Sequence, residues 1–170
     1  MLYKDKVIES IRILPNDKET FRTEEDFNYF IEKQLIDRGG YYYFPNQMMR
    51  CPDNTLVLFQ YNGSIKAVGI LIESKKTPVY DEEGKEYSGY YKFDINTIYT
   101  LNGPISKEKM RKINPSFKNF NQSKQIIPLE YLEEILKIIV SFTWHDRVPV
   151  KLSQALRLLY FYQQELILTK

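Results

Sequence analysis

The dipeptide Asn62-Gly63 constrains the fold of this chain more than any other feature. It joins two apolar runs, residues 55–61 and 64–73, and both of its positions suit the positive φ angles of a two-residue hairpin turn. The second run is apolar on both faces in its later half, as in a strand that is covered on both sides. The pattern predicts an antiparallel hairpin at the centre of a sheet.

Helical patterns flank this region on both sides. Thr23 is a candidate N-cap for an amphipathic helix that ends at Gly39-Gly40, and Pro128 begins a second amphipathic helix. Residues 3–14 fit either a helix or a strand. The order of elements predicts an α+β fold. Its three expected parts are an N-terminal helical segment packed on the core (1–40), a mainly antiparallel β domain (41–140) and a C-terminal helical extension (141–170).

The residue types that enzymes use most are scarce in this chain. His145 is the single histidine and Cys51 the single cysteine, so we expect no His-based zinc site, no His-activated nucleophile and no disulfide. The glycine-rich, zinc-protease and serine-hydrolase motifs are also missing from the sequence. These absences favour a binding module without cofactor or metal over an enzyme.

The chain offers no targeting or membrane signal. Its start, MLYKDKVIES, lacks the long apolar run of a signal peptide. No stretch approaches the roughly 20 apolar residues that a membrane span needs. A single cysteine also fits a reducing compartment. We therefore expect a cytoplasmic protein with no membrane partner.

Two segments interleave aromatic rings with basic or amide side chains, a composition that suits stacking on bases and contact with phosphates. They are residues 89–94 (GYYKFD) and 117–125 (FKNFNQSKQ). Residues 107–125 also carry six basic side chains against one acid, in a chain whose net charge is only +2. The alternative interpretation is that the aromatics belong to a core and the lysines to a solvated helix face and loop.

The chain resembles the PUA-like superfamily in three runs of residues. They are TLVLFQYNGSIKAVGILIE, SGYYKFDINTIYTLNGPISKEKMRKI and FKNFNQSKQIIPLEYLEEIL. The resemblance is to the EVE-like and ASCH-type reader domains found in modification-dependent restriction endonucleases. In those domains a strand of this kind precedes a hairpin, a GYYKFD-like strand, a short helix and a loop rich in Phe, Gln and Lys. The resemblance covers about residues 41–139.

The resemblance implies a small, mainly antiparallel PUA-like β-barrel flanked by helices. It implies a reader of nucleic acid, DNA in preference to RNA, that holds a modified or flipped base in an aromatic pocket as part of a restriction or defence system. The implied pocket residues are Tyr43, Phe59, Tyr61, Tyr90, Tyr91, Gln122 and Gln125. The basic residues expected to face phosphates are Lys107, Arg111, Lys118 and Lys124. The single tryptophan, Trp144, lies outside the matched region, although many base-reading cages use tryptophan.

Two other functions stay open at this point. Some ASCH-type barrels are amidohydrolases, which here would require Lys92, Glu73 and Thr97 to converge in a pocket. The amphipathic run 151–168 would suit a protein-interaction domain that forms a homodimer through its C-terminal helix. The position of the three side chains tests the first of these alternatives.

Overall fold

Seven strands form the main sheet of the protein, for which the computed structural model describes residues 7–120 and 125–143. In chain order the strands are β1 (Ser10–Asn16), β2 (Tyr41–Phe44), β3 (Thr55–Tyr61), β4 (Ser64–Lys75), β5 (Val79–Tyr80), β6 (Glu86–Tyr87), β7 (Gly89–Phe93), β8 (Tyr99–Ser106) and β9 (Ile126–Ile127). Strands β5 and β6 form a separate two-stranded ribbon, and the other seven make up the sheet.

Short helical elements surround the sheet. They are α1 (Glu24–Tyr29), a π-helical turn (Phe30–Gln34), α2 (Leu35–Asp37), α3 (Lys107–Ile113), α4 (Leu132–Thr143) and two 3-10 turns (Ile95–Thr97 and Leu129–Tyr131). Within the described ranges, these helices are too short or too polar to cross a membrane. Of the expected C-terminal extension, 141–170, the structure describes only residues 141–143, which belong to α4.

The predicted hairpin is confirmed. Strands β3 and β4 pair in antiparallel fashion up to Tyr61 and Ser64, and Asn62 and Gly63 turn the chain with φ angles of 47° and 76°. All seven residues of β3 are buried. The hairpin therefore forms the middle of the sheet, as its apolar pattern indicates.

The sheet is mostly antiparallel and belongs to an α+β fold, as expected. Its strands follow the order β2-β7-β4-β3-β1-β9, and β8 pairs with the first half of β4 while β7 pairs with the second half. Bulges in β4 accompany both pairings. The path ends at β2 on one side and β9 on the other. The described strands thus form an open sheet, and the expected barrel closure is not seen among them.

Strand β1 differs from the expected N-terminal helical segment. It pairs in parallel with β3, from Ser10 opposite Thr55 to Asn16 opposite Tyr61. Ile11 and Ile13 belong to one core and Leu14 to the other, so apolar side chains are buried on both faces of the strand. The strand is therefore covered on both of its faces. The sheet consequently includes a strand from outside the expected domain 41–140.

The helical part of the first 40 residues does form where the capping signal predicted it. The Thr23 hydroxyl accepts a hydrogen bond from the Asp26 amide at 3.1 Å, and the Asp26 carboxylate accepts one from the Thr23 amide at 3.0 Å. This reciprocal capping box satisfies two amides at the start of α1. At the other end, the Gly40 amide donates to the Leu35 carbonyl at 2.8 Å.

Two hydrophobic cores lie on opposite faces of the sheet. The first core contains Leu56 and Leu58 of β3 and side chains from α3 and α4, such as Met110 and Ile135. The second core contains Val57, Phe59 and Tyr61 of the same strand and side chains of α1, the π-helical turn and α2. The alternation along β3 divides its side chains between the two layers. At the edge where its strands end, the sheet therefore borders the first core on one face and the second core on the other.

Candidate functional site

Two cavities lie beside the carboxyl end of β1, and Pro15 lines both of them. The polar cavity has a volume of about 480 Å³, and its lining includes Pro15, Asn16, Gln60, Lys107, Asn119 and Phe120. The aromatic cavity has a volume of about 500 Å³, and its lining includes Pro15, Tyr42, Phe44, Pro45, Gln47 and Tyr91. Both volumes fall within the roughly 300–1,000 Å³ of small-molecule sites.

The parallel pairing of β1 and β3 explains this position. Because the two strands run in the same direction, their carboxyl ends reach the same edge of the sheet, with Pro15 opposite Gln60. Phe59 and Tyr61 face the second core, so the Gln60 side chain between them projects towards the first. The polar cavity thus lies at the end of the first core. The aromatic cavity, which includes Tyr91, lies at the end of the second.

Asn16 is the structural link between the two cavities. Its side-chain amide nitrogen donates to the carbonyls of Leu14 and Gln60, each at 3.1 Å, and its Oδ1 accepts a hydrogen bond from the Tyr42 hydroxyl at 2.8 Å. Burial raises the pKa of Tyr42 far above its usual value, so the hydroxyl stays protonated as a donor. These bonds fix the Tyr42 ring in the wall of the aromatic cavity.

The aromatic cavity has a wall of closely packed rings. The centroids of Phe44 and Tyr91 are 4.8 Å apart, and those of Tyr42 and Tyr91 are 6.1 Å apart. The Tyr91 hydroxyl accepts a hydrogen bond from the Met49 amide, and burial raises the pKa of Tyr91 to about 12. A neutral, apolar wall of this kind suits a planar aromatic ligand. Tyr91 is the predicted pocket residue that lines this cavity.

Gln60 supplies the most distinctive polar group of the polar cavity. The residue is only 8% exposed. Its main-chain carbonyl accepts the Asn16 amide, whereas its side-chain amide makes no hydrogen bond to any residue that the structure describes. A primary amide carries a donor pair and an acceptor on one plane. The Gln60 side chain therefore offers this cavity an amide that has no partner among the described residues.

Lys107 supplies positive charge to the same cavity. It is the first residue of α3 and is partly buried. Over residues 7–120 and 125–143, its ammonium group has neither an ion pair nor a hydrogen bond. Asp17, an exposed residue, also lines the cavity, and hydrogen bonds from Thr20 lower the pKa of its carboxyl group. The cavity lining therefore combines the Lys107 ammonium group, the exposed Asp17 carboxylate and amide groups.

The other predicted phosphate contacts have different surroundings. The Arg111 guanidinium donates to the carbonyls of Phe117 at 3.3 Å and Lys118 at 3.0 Å, so it fastens the loop that follows α3. The Lys118 side chain is exposed and lines neither cavity. Lys124 lies outside the described residues. Among the three predicted residues that the structure describes, Lys107 is the one that lines a cavity.

Two predicted pocket residues belong to the second core instead. Phe59 is 0% exposed and packs against Phe93 with ring centroids 5.0 Å apart. Tyr61 is 2% exposed, stacks on Phe27 at 5.0 Å, and donates its hydroxyl to the Phe21 carbonyl at 2.8 Å. Neither ring lines the polar or the aromatic cavity. Their aromatic character reflects packing between the sheet and the helices on this face.

Tyr43 and Tyr90 lie on the outward face of the sheet, away from Tyr91. Strands β2 and β7 pair Tyr43 with Tyr90, and both side chains are partly exposed. The Tyr43 ring packs against Tyr87 at 5.5 Å, and the Tyr90 hydroxyl donates to the Glu73 carboxylate at 2.7 Å. Alternation along the strands separates these rings from the aromatic cavity. The predicted pocket therefore does not assemble as one group.

The predicted glutamines can be placed only in part. The Gln125 carbonyl accepts a hydrogen bond from the Ile13 amide at 2.9 Å, which fixes this residue beside β1. Its side-chain Oε1 is buried and has no hydrogen-bond partner among the described residues. Gln122 lies outside the described residues. The loop residues Asn119 and Phe120, just before it, line the polar cavity.

The three side chains of the hydrolase alternative are engaged elsewhere. The Thr97 hydroxyl is buried, donates to the Asp94 carbonyl at 2.7 Å, and accepts the Ile70 amide at 2.8 Å. Glu73 accepts the Tyr90 hydroxyl, and the Lys92 ammonium lies 5.0 Å from the centroid of the Tyr41 ring. A nucleophile committed to two main-chain bonds is poorly placed to react. The expected homodimer helix, 151–168, lies outside the described residues.

The Tyr90 hydroxyl is expected to ionise near pH 12. Its hydrogen bond to the Glu73 carboxylate, followed by burial, raises its pKa to about 12. The folded-state pKa exceeds the unfolded value of about 10. The hydrogen bond therefore stabilises the folded protein fully below about pH 10, and this contribution to stability is lost as the pH rises towards 12. Subtracting the absorbance titration of Tyr90→Phe from that of the wild type isolates this transition. In Glu73→Gln it should move towards pH 10, and a wild-type midpoint near 10 would contradict the assignment.

Sequence reasoning missed Asn16, Gln60 and Tyr42 as functional candidates. Gln60 had a readable signal, since it is the single amide inside the apolar run of β3. Asn16 follows Pro15, and this pair predicted only a break in the pattern. In the part of the chain that the structure describes, no three His, Cys, Asp or Glu side chains cluster as metal ligands do.

Comparisons with known proteins extend only to the fold. No protein-family model and no curated protein matches the chain. The chain is similar to the NMR structure of Rpa0253 from Rhodopseudomonas palustris, a structural genomics target, with a TM-score of 0.50 and 13% sequence identity. The match covers 81% of this chain and 98% of the other. At this identity the similarity indicates a shared α+β architecture and carries no function.

Proposed function

We propose that this protein binds DNA and holds one base, extruded from the strand, in the aromatic cavity. The observation that supports the proposal is the pair of cavities that share Pro15. One is walled by aromatic rings, and the other is lined by a lysine that has no partner among the described residues. An extruded base needs an enclosed site that offers both stacking and hydrogen bonding. The strand that carries the base needs cations close to its phosphates.

The aromatic cavity has the chemistry that an extruded base requires. Stacking on aromatic side chains contributes about 1–3 kcal/mol per base, which offsets the few kcal/mol needed to unstack it. Tyr42 supplies a partly exposed ring, and the buried rings of Phe44 and Tyr91, 3% and 0% exposed, pack behind it in the same wall. The amides of Asn46 and Gln47 line the same cavity and are exposed, so they can contact the edge of a base.

Lys107 is the phosphate contact in this proposal. An ammonium group that is partly buried and unpaired attracts an anion more strongly than a fully solvated lysine does. Its cavity adjoins the aromatic cavity at Pro15, so a base in one and a backbone phosphate at the other belong to the same short stretch of strand. The exposed Lys118 follows α3 on the loop and adds to the positive field.

We include in this proposal a PUA-like architecture and a role in a restriction or defence system. Support for the architecture comes from β4. One edge of this strand pairs with β8 along its first half and with β7 along its second half, and each pairing contains a bulge. Such bending is how sheets begin to curl towards closure. Support for the role comes from the sequence resemblance described above, in which the GYYKFD strand and the loop after α3 are two of the matching elements.

Oligonucleotide binding tests the proposal. Fluorescence anisotropy is measured with short DNA duplexes that carry one cytosine or adenine, natural or modified, opposite either its partner or a mismatch. We expect tighter binding to the mismatched duplexes, because less energy is needed to extrude the base. Affinity should fall linearly with the logarithm of the salt concentration, and Lys107→Ala should reduce that slope by about 1.

Lys112→Ala is the matched control, because Lys112 is an exposed lysine of the same helix that lines neither cavity. Its salt slope should equal that of the wild type. The proposal is overturned if no duplex binds at about 50 mM salt, a condition that favours phosphate contacts. Binding to RNA oligonucleotides of the same sequence, but not to DNA, would overturn the assignment to DNA.

A further inference from the structure

The lining of the polar cavity includes a group that a phosphate contact does not need. A phosphate contact needs cations and donors, and Lys107 provides these. Gln60 adds a buried amide whose carbonyl oxygen is an acceptor and has nothing to offer an anion. Gln60 is 8% exposed, belongs to β3 and lines the cavity. An acceptor and a donor on one plane match the hydrogen-bonding edge of a heterocyclic base.

An aromatic ring also belongs to the lining of the cavity. Phe120 lines it, and an edge-on contact with Phe117 at a centroid distance of 5.0 Å fixes the orientation of its ring. Both rings belong to the first core and are at most 6% exposed. An aromatic ring beside an amide offers a base an apolar wall and a hydrogen-bonding edge.

The two cavities are matched in size and adjoin each other. Their volumes are about 480 and 500 Å³, and Pro15 is their common wall. They also lie at the ends of different cores, so ligand groups that enter them approach the carboxyl end of β1 from its two sides. A ligand with two planar groups joined by a short flexible link fits this arrangement. Two successive nucleotides have that form.

We infer that the polar cavity is a second base subsite, so that the protein recognises a two-nucleotide step in DNA rather than a single base. Gln60 reads the edge of the second base, Phe120 forms an apolar wall beside it, and Lys107 contacts the phosphate that joins the two nucleotides. This inference rests on the proposed DNA binding, and it specifies the ligand as a dinucleotide with a preferred second base.

Mononucleotides and dinucleotides are the probes for this inference. Binding of the four deoxynucleoside 5′-monophosphates and the sixteen 5′-phosphorylated dinucleotides is measured by titration calorimetry with the whole chain. We expect a subset of dinucleotides to bind at least about tenfold more tightly than the better of their two constituent mononucleotides. Gln60→Leu, which keeps the approximate side-chain size and removes the amide, should bring these dinucleotides to the level of the mononucleotide.

Gln34→Leu is the matched control, because Gln34 is an exposed glutamine in the π-helical turn and lines neither cavity. It should keep the full dinucleotide gain. Dinucleotides that bind no more tightly than mononucleotides overturn the inference and leave the proposed function standing. If no nucleotide or oligonucleotide binds at all, both fail. Because the gain is measured on the wild type, the result does not depend on the folding of Gln60→Leu.

Discussion

Phe59→Ala is expected to lower the free energy of unfolding by about 3–5 kcal/mol, the range for truncation of a buried phenylalanine. The ring is 0% exposed and lies between Phe93, at a centroid distance of 5.0 Å, and Tyr42, at 6.2 Å. Because Gly69 faces the Phe59 ring without a side chain of its own, no neighbour there can extend to fill the space. Urea denaturation followed by far-UV circular dichroism measures the loss.

Tyr80→Ala is the control for this experiment. Tyr80 is 60% exposed, so its truncation should change stability by no more than about 0.5 kcal/mol. The sequence resemblance assigned Phe59 to a base pocket, and the two assignments predict different results. If Phe59→Ala keeps the wild-type urea midpoint and loses affinity for DNA, the ring contacts a ligand and its placement in the core is wrong.

Local signals in the sequence predicted the local parts of the fold. The Asn62-Gly63 turn, the Thr23 capping box and the basic helix after Ser106 each depend on residues within a few positions of one another, and all three form. Strand β1 depends on a partner more than 40 residues away, since Ser10 pairs with Thr55. The spacing of Ile11 and Ile13 is compatible with a strand but does not identify that partner.

The site was harder to predict because it depends on which face each strand residue occupies. The run from Tyr41 to Phe44 is aromatic throughout, yet Tyr42 and Phe44 contact the second core while Tyr43 lies on the outward face. A change of one position in register exchanges these two sets. The same holds for Tyr90 and Tyr91. The pairing with neighbouring strands decides which side chains face the core, and the sequence alone does not give that pairing.

The polar residues that line the polar cavity differ in how far the sequence could predict them. Asn16 and Gln60 are buried because the parallel ends of β1 and β3 meet, so each is placed by a long-range pairing. An isolated amide in an apolar strand is costly unless it finds a partner. The amide of Gln60 in the apolar run TLVLFQY was therefore a signal that this residue has a specific role. The local excess of positive charge drew attention to Lys107 as a phosphate contact, and the structure shows that this lysine lines the polar cavity.

Gly40→Ala is expected to lower the free energy of unfolding by about 2–5 kcal/mol. Gly40 has a φ angle of +87°, and a left-handed conformation costs an alanine about 1–2 kcal/mol. An added Cβ would also lie 2.2 Å from the Phe93 carbonyl oxygen, which is main chain and has little freedom to move. Displacing it adds about 1–3 kcal/mol. The Phe93 amide donates to the Gly40 carbonyl at 2.9 Å, so the shift disturbs the junction of β2 and β7.

Gly39→Ala separates the two contributions, because Gly39 also has a positive φ, of +66°, but its added Cβ meets only the Tyr41 side chain, at 3.8 Å. It should cost only the conformational part, about 1–2 kcal/mol. Thermal melts of the two variants should therefore differ, with Gly40→Ala the less stable. Equal losses would show that the main chain at Phe93 yields freely, and that β7 is not held against the end of α2 by this contact. Since β7 carries Tyr91, such freedom would also loosen the wall of the aromatic cavity.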